Sequence, residues 1–467
     1  MIQITKRSLA MALMVTIFVT DIPFSSGLSI QIAGVSEAQD PPRRRRRGGR
    51  RPAPPPATPE PEKKEAEPAH AEDAEYLAIV GATIHTVTGP VIRDGTILCK
   101  DGKISSIGAD ISVPASAEKI EASGFHVYPG LVAFRSAGLI GSGDPQKTQD
   151  PFSLGTVMGL AAGITSTWNG STVGKLVRGS LEDLTLRKAS FVNLTYTSRN
   201  PGGKRELRQA LEKVQEHLRA LERHAEEKKE NPDAKAPDDK WIRGAFSTAK
   251  LLLTGERVAL SRVSTITDLK QVCELARRFG FDLVIEGGEE AWIDPGLVAR
   301  TGASVVLTPR ARRNAVEDRN MKSGSSIENA KILHEHGIPL AIRPSASGIA
   351  LWGLAGRDLG HLPMEAAFAV RGGLSEKAAI EAITIEPARI LGVADRVGSI
   401  EVGKDADFII TDGDLLSYLT HVRWAVINGK IQYDKMKEGL LDHIRPDGVE
   451  KPEPPDDHWP RRLGDPL

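Results

Sequence analysis

From residue 76 onward the apolar positions fall into short runs whose period changes along the chain. Residues 76–80, 83–87, 96–99 and 103–107 are brief β-rich runs separated by turn residues. Asp101-Gly102 lies between the last two, and glycine accepts the positive φ that a two-residue hairpin turn demands. The pattern returns near the C-terminus. Residues 408–410 and 424–427 read as strands, and Asn428-Gly429 turns the second into 430–433. Small β modules at both ends (76–128 and 395–435) predict one β-sandwich assembled from the two.

Between them, residues 129–394 alternate strand-like runs with helical periodicity. Strands are expected at 163–168, 190–195, 257–261, 282–285, 304–308 and 339–342. Helical patterns occupy 268–279, 327–336, 364–370 and 375–383. Strands that recur with helices between them predict an α/β fold with a parallel sheet, and at this count a closed (β/α)8 TIM-type barrel. An insertion at 204–229 is charged and helical, with Leu207, Leu211, Val214, Leu218 and Leu221 spaced four and three apart. That apolar stripe suits a coiled-coil seam or the protein's own surface, and at this short length packing on its own surface is expected. The polar stretch 230–240, with Pro232 and Pro237, reads as a mobile loop.

Composition bounds the function classes. The 467 residues are 40% hydrophobic with 45 Gly, enough to bury a large core. Lys and Arg total 61 and so do Asp and Glu, so global charge points to no specific nucleic acid. Two cysteines, Cys99 and Cys273, exclude a disulfide framework, while one bridge and two free thiols both remain open. Lys6 and Arg7 precede an apolar run at 8–20, and Ser36 and Ala38 offer a cleavage site before Gln39. Residues 1–38 are therefore expected to be an export signal, with a retained anchor as the alternative. The run is short of the roughly 20 apolar residues that span a bilayer. Residues 39–75 are low in complexity, with an arginine block from Arg43 to Arg47 continued by Arg50 and Arg51, prolines at 54–56 and an acidic mix at 60–67. A disordered, solvated tether is expected there, with an envelope polyanion as an alternative partner for Arg43–Arg51. Residues 436–467 read as a tail.

One long motif stands out. Residues 372–393 (GGLSEKAAIEAITIEPARILGV) run on into 395–410 (DRVGSIEVGKDADFII). Together with Pro129-Gly130-Leu131 and Gly163–Thr167, the motif closely resembles imidazolonepropionase-like and dihydroorotase-like members of the amidohydrolase superfamily, over residues 77–433. The resemblance implies a barrel with a composite β-sandwich. It also implies metal-dependent hydrolysis of a non-peptide C–N bond, with zinc or another divalent ion as the usual cofactor. The tail motif itself supplies turns, which Asp395 or Asp405 can brace, and no catalytic group.

Carried onto this chain, the family's ligand positions hold residues that do not ligate. The H-x-H pair that should close the strand at 127–139 falls on Arg135 and Ala137, the bridging ligand near Val192, the later histidines on Ser261 and Gly287, and the aspartate on Ser345. The metal site is thus expected to be degenerate and no cofactor is predicted. His334 and His336 belong to an outer helix, His85, His126 and His421 to the β-sandwich. Only His361 is expected near the active face, and one histidine does not hold a catalytic ion. Arg135, Arg262, Glu286, Arg343 and Ser345 are expected to cluster at the C-terminal strand ends. Guanidiniums there favour an anionic small molecule such as a carboxylate, phosphate or acidic sugar. The plainer alternative pairs Arg135 and Arg343 with Glu286 and Glu290 as space-filling ion pairs. The expected protein is exported, periplasmic or in the cell envelope, and non-catalytic: a ligand binder, or a subunit in a homo- or hetero-oligomer with an active relative. An active amidohydrolase with an atypical or displaced site is the alternative.

Overall fold

The computed structural model describes residues 75–188, 191–318, 320–350 and 356–438, all within one compact unit. The expected signal, the Arg43–Arg51 block and most of the tail lie outside the described residues. No helix among the described residues is long and apolar enough to cross a membrane.

The first strands are β1 (Tyr76–His85), β2 (Val91–Lys100), β3 (Lys103–Gly108), β4 (Glu118–Glu121) and β5 (His126–Pro129). β2 turns into β3 at Asp101 and Gly102, whose φ of 49° and 78° are the positive values such a turn requires. A second group follows: β6 (Leu131–Ala133), β7 (Ile164–Trp168), β8 (Thr172–Lys175) and β9 (Thr185–Lys188), with only β6 and β7 parallel. Next, β10 (Val192–Leu194), β11 (Ala259–Val263), β12 (Leu283–Gly287), β13 (Ser304–Leu307) and β14 (Leu340–Ile342) form a five-stranded parallel sheet in chain order. Finally β15 (Phe408–Thr411), β16 (Val422–Ile427) and β17 (Lys430–Asp434) return to the first sheet, β15 lying antiparallel to β5.

Both ends of the folded region therefore build one eight-stranded sheet, ordered β17-β16-β15-β5-β1-β2-β3 with β4 beside β1. It curls back on itself. The Ile104 amide donates to Lys404 O at 2.9 Å, and Gly403 N donates to Ile104 O at 2.8 Å. Ile79, Ile84, Ile97, Phe408 and Ile410 fill the enclosed core.

Three sequence expectations need correction. Residues 127–139 are not one strand. They divide at Gly130, where β5 leaves the first sheet and β6 enters the second, and a Cβ there would come within 2.0 Å of Thr165 Oγ1. The β8–β9 hairpin was not foreseen, because its polar residues mask the alternation. Regular eight-strand closure is also not what the hydrogen bonds draw. Ile342 N donates to Ala382 O (2.8 Å) and Val132 N to Ile383 O (3.0 Å), so a two-residue link spans the interval between β14 and β6. No ladder joins β7 to β10 among the described residues.

The two sheets nevertheless share an interior. Val132, Phe134, Trp168, Leu260, Val284, Val306 and Ala341 meet in one buried cluster, and Ala388 and Leu391 of the Ile385–Leu391 helix join it. Alternation turns Ala259, Val263, Ile285, Val305 and Ile342 the other way, under the helices. The long helix Pro201–Glu230 starts with Pro at its first turn and an Asn200 side chain that accepts from Gly203 N (3.0 Å). Its Leu211 and Val214 are buried in the main core, with Leu207 and Leu218 packed alongside, so the stripe covers the protein's own surface.

Candidate functional site

Strand alternation decides which side chains reach the interior at the C-terminal strand ends. Leu260 and Val284 face inward, so two residues on, Arg262 and Glu286 do as well. Ala341 likewise sets Arg343 inward. The three meet. Glu286, 4% exposed, accepts hydrogen bonds from Arg135 Nη2 (3.2 Å), Arg262 Nη2 (3.1 Å) and Arg343 Nη1. Arg343 also donates from Nε to Pro344 O at 3.1 Å. Arg135 lies over the Trp168 ring, its Cζ 5.1 Å from the centroid, and its buried Nε has no hydrogen-bond partner among the described residues. Burial pulls the Arg343 guanidinium below its ordinary value; Glu286 opposes the fall, while Arg135 and Arg262 add to it.

Other expected members fall elsewhere. Ser261 points away from the interior and donates from Oγ to Leu194 O at 3.1 Å, so on β11 it is the neighbouring Arg262 that faces the cluster. Gly287 has φ +103°, and a Cβ there would sit 2.9 Å from Val263 O. Backbone geometry reserves that position for glycine, and the inward residue is Glu286. Ala137 is exposed and donates its amide to Ser347 O at 2.6 Å. Ser345 is exposed; its hydroxyl donates to Arg357 O (3.3 Å), and its carbonyl accepts from Arg343 Nη2 at 3.5 Å. Ser345 thus contributes backbone, not side chain, to the cluster.

Glu290, the second partner expected for Arg135 and Arg343, pairs instead with Arg313 at 2.8 Å. The amides of Ile266 (2.7 Å) and Gly324 (2.8 Å) also bond it. Burial works to raise this carboxyl, but those amides and Arg313 outweigh it and hold Glu290 below the usual value. A further acid, Glu289, abuts Gly287 and forms no ion pair among the described residues. His361 Nδ1 bonds Asp358 Oδ1 at 2.9 Å and lines a different cleft, so it does not join the arginine cluster. His336 is exposed on its helix, with Nδ1 against Ile332 O at 2.8 Å.

Does this donor set suit the divalent ion that the sequence resemblance implies? Three guanidiniums converge on one carboxylate, and no imidazole or second carboxylate is bonded into the group. A divalent cation placed there would face like charge at hydrogen-bond range, so the residues do not fit it. Among the described residues no group of three or more His, Cys, Asp or Glu is arranged to hold a metal ion.

Sequence reasoning missed Lys175. It is wholly buried, with Nζ 2.8 Å from Asp405 Oδ2 and 2.7 Å from Asp407 Oδ2. Lys103 (3.0 Å) and Arg396 (2.7 Å) complete the ring about Asp405. Burial raises the Asp405 carboxyl, but Lys175, Lys103 and Arg396 together hold it at about 2. The K-D-A-D motif at 404–407 is therefore an ion-pair lock between the curled sheet and the β8–β9 hairpin, in line with the structural role expected of it.

The architecture is α/β, with a parallel-stranded interior layer beside a curled sheet. Residues 284–439, which include the tail motif, match the amidohydrolase family. N-acetylglucosamine-6-phosphate deacetylase of Bos taurus is 39% identical over 59 residues, 13% of this chain and 13% of that protein. Amidohydrolase tasK of Hapsidospora irregularis is 36% identical over 74 residues, 16% of this chain and 8% of that one. The chain matches only 8–15% of the length of the curated relatives. Over 77% of its length it shares the fold of an amidohydrolase from Thermotoga maritima, covering 100% of that chain, with a TM-score of 0.60 and 22% identity.

Proposed function

We propose that this is an exported, non-catalytic member of the amidohydrolase lineage that binds an anionic small molecule at the arginine cluster. The convergence of Arg135, Arg262 and Arg343 on the single bonded carboxylate of Glu286 carries the reading. Even with Glu289 counted, positive charge is in surplus, and Arg262, 70% exposed, is open to solvent. A carboxylate or phosphate meets planar guanidiniums through paired N–H donors, which makes it the natural counter-ion. The reading takes the two inner sheets as one (β/α)8 barrel, supported by their shared interior and by the Ala382–Ile383 link. Export rests on the leader-like residues 1–38, and the Arg43–Arg51 block is read as a tether that envelope polyanions attract.

Four curated relatives are named for a phosphorylated amino sugar, which makes N-acetylglucosamine 6-phosphate and inorganic phosphate the first probes. Calorimetric titration of each into wild type and Arg262→Ala tests the reading. Saturable binding that weakens in the variant, with no product formed, is expected. Chelator-sensitive turnover of the sugar phosphate would instead support an active hydrolase with an atypical site. Silence with both probes and with acetate would remove the anion site.

A further inference from the structure

Away from the arginine cluster, a cleft of about 690 Å³ opens between the helices Leu154–Ala161 and Leu362–Arg371 and the segment 411–422. That volume lies in the range that takes small organic molecules. Its walls are mostly apolar: Met364 on one side, Leu415 and Leu416 on the other. Phe368 and Tyr418 at its edges keep 37% and 78% of their surface exposed, so apolar area is left open to water. The basic groups that line it are His361, Arg371 and His421, and no carboxylate does so among the described residues. The acids near the imidazoles sit behind them. Asp358, 4% exposed, holds His361 Nδ1 at 2.9 Å and also accepts from Ala350 N (2.9 Å). Asp412 lies 3.7 Å from His421 Nδ1. Arg371, exposed at the end of its helix, has no carboxylate partner among the described residues.

An apolar trough rimmed by a guanidinium and two imidazoles, with no carboxylate lining it among the described residues, selects both body and charge. We propose that this cleft binds an amphipathic monocarboxylate, its hydrocarbon or aromatic body against Met364, Phe368, Leu415 and Leu416 and its carboxylate on Arg371. A carboxylate bonds a guanidinium through two parallel N–H donors, whereas an amine of the same length meets like charge there. The imidazole edges of His361 and His421 add hydrogen-bonding capacity at the same rim.

Calorimetric titration of the whole protein with octanoate, octanol and octylamine is the test. Octanoate saturates a single site, octylamine gives no heat, and octanol binds more weakly than octanoate. Arg371→Gln weakens octanoate by about tenfold, the scale of one charge-assisted contact. Ala367→Trp fills the trough and abolishes binding; should that variant not fold, the exposed Arg371 position still decides the matter. No octanoate binding, equal binding of octylamine, or an Arg371→Gln variant that binds like wild type would each overturn the proposal. Octanoate binding lost in Arg135→Ala but kept in Arg371→Gln would also overturn it, and would assign the carboxylate to the arginine cluster instead.

Discussion

Replacing Glu286 with Gln removes the one carboxylate on which three guanidiniums converge, at almost unchanged volume. The three contacts do not weigh equally. The side chains of Arg343 and Glu286 are 8% and 6% exposed, so their pair lies away from water. Removing one partner of a buried pair costs about 3–5 kcal/mol. Arg135, 29% exposed, contributes less. Arg262, 70% exposed, adds at most about 1 kcal/mol because solvent screens it. Gln keeps one acceptor oxygen for Arg343, which puts the expected loss near the lower end, about 3 kcal/mol. In a folded region of this size each kcal/mol moves Tm by about 1–2 °C, so a fall of about 3–6 °C is expected. Differential scanning fluorimetry in anion-poor buffer reads it. Added phosphate then raises the Tm of Glu286→Gln by more than that of wild type, since it replaces the lost counter-charge. A Tm within about 1 °C of wild type, or a phosphate gain no larger than wild type's, would refute the reasoning.

Lys175→Met leaves Asp405 and Asp407 buried without the ammonium between them. A loss of about 3–5 kcal/mol follows, measured as a lower urea midpoint; an unchanged midpoint contradicts the ion-pair lock. His85 is held at about 4, against an ordinary 6.5, by burial first and by His126 next, whose Nδ1 lies 3.0 Å from its Nε2. The unfolded chain therefore takes up a proton before the folded one, so this contribution is complete above pH 6.5 and is lost as pH falls toward 4. Tm measured across that window declines, and His85→Phe flattens the decline. Asp405 titrates lower: with a folded value of about 2 against 3.8, its contribution holds above pH 3.8 and fades toward 2. Cys99 and Cys273 are free and buried, their thiols pushed up to about 12 and about 11, chiefly by burial. Neither reacts with a thiol reagent at pH 8 in the native protein, and both react after unfolding without reductant. A reactive native thiol would contradict their burial.

What could be read from the chain followed the strength of its local signals. Asp101-Gly102 and Asn428-Gly429 announced both hairpins, because positive φ at both turn residues restricts the sequence. The parallel strands β11 to β14 were placed to within a few residues, since each apolar run is bounded by turns. Side-chain facing was less legible. Matching a motif across β11 chose Ser261, one residue from the inward Arg262, and a one-residue slip exchanges the two faces of a strand. Gly287 misled for another reason: its positive φ marks a backbone bend after the inward Glu286. That both inner arginines choose Glu286 and leave Glu290 to Arg313 depends on loops after β12 and β13, which no periodicity describes. Lys175 was invisible because a lysine in a short polar strand looks like surface. Only the fold brings Asp405 and Asp407 to it.

The proposed function requires that the cluster of Arg135, Arg262 and Arg343 about Glu286 leaves no place for a divalent ion. The direct measurement is elemental analysis, by inductively coupled plasma mass spectrometry, of tag-free protein expressed in zinc- and manganese-supplemented medium. Near-zero stoichiometry of zinc, manganese, iron, cobalt and nickel is the expected result. A near-integral content of one or two ions per chain, retained through gel filtration, would contradict it and favour an active hydrolase with an atypical site.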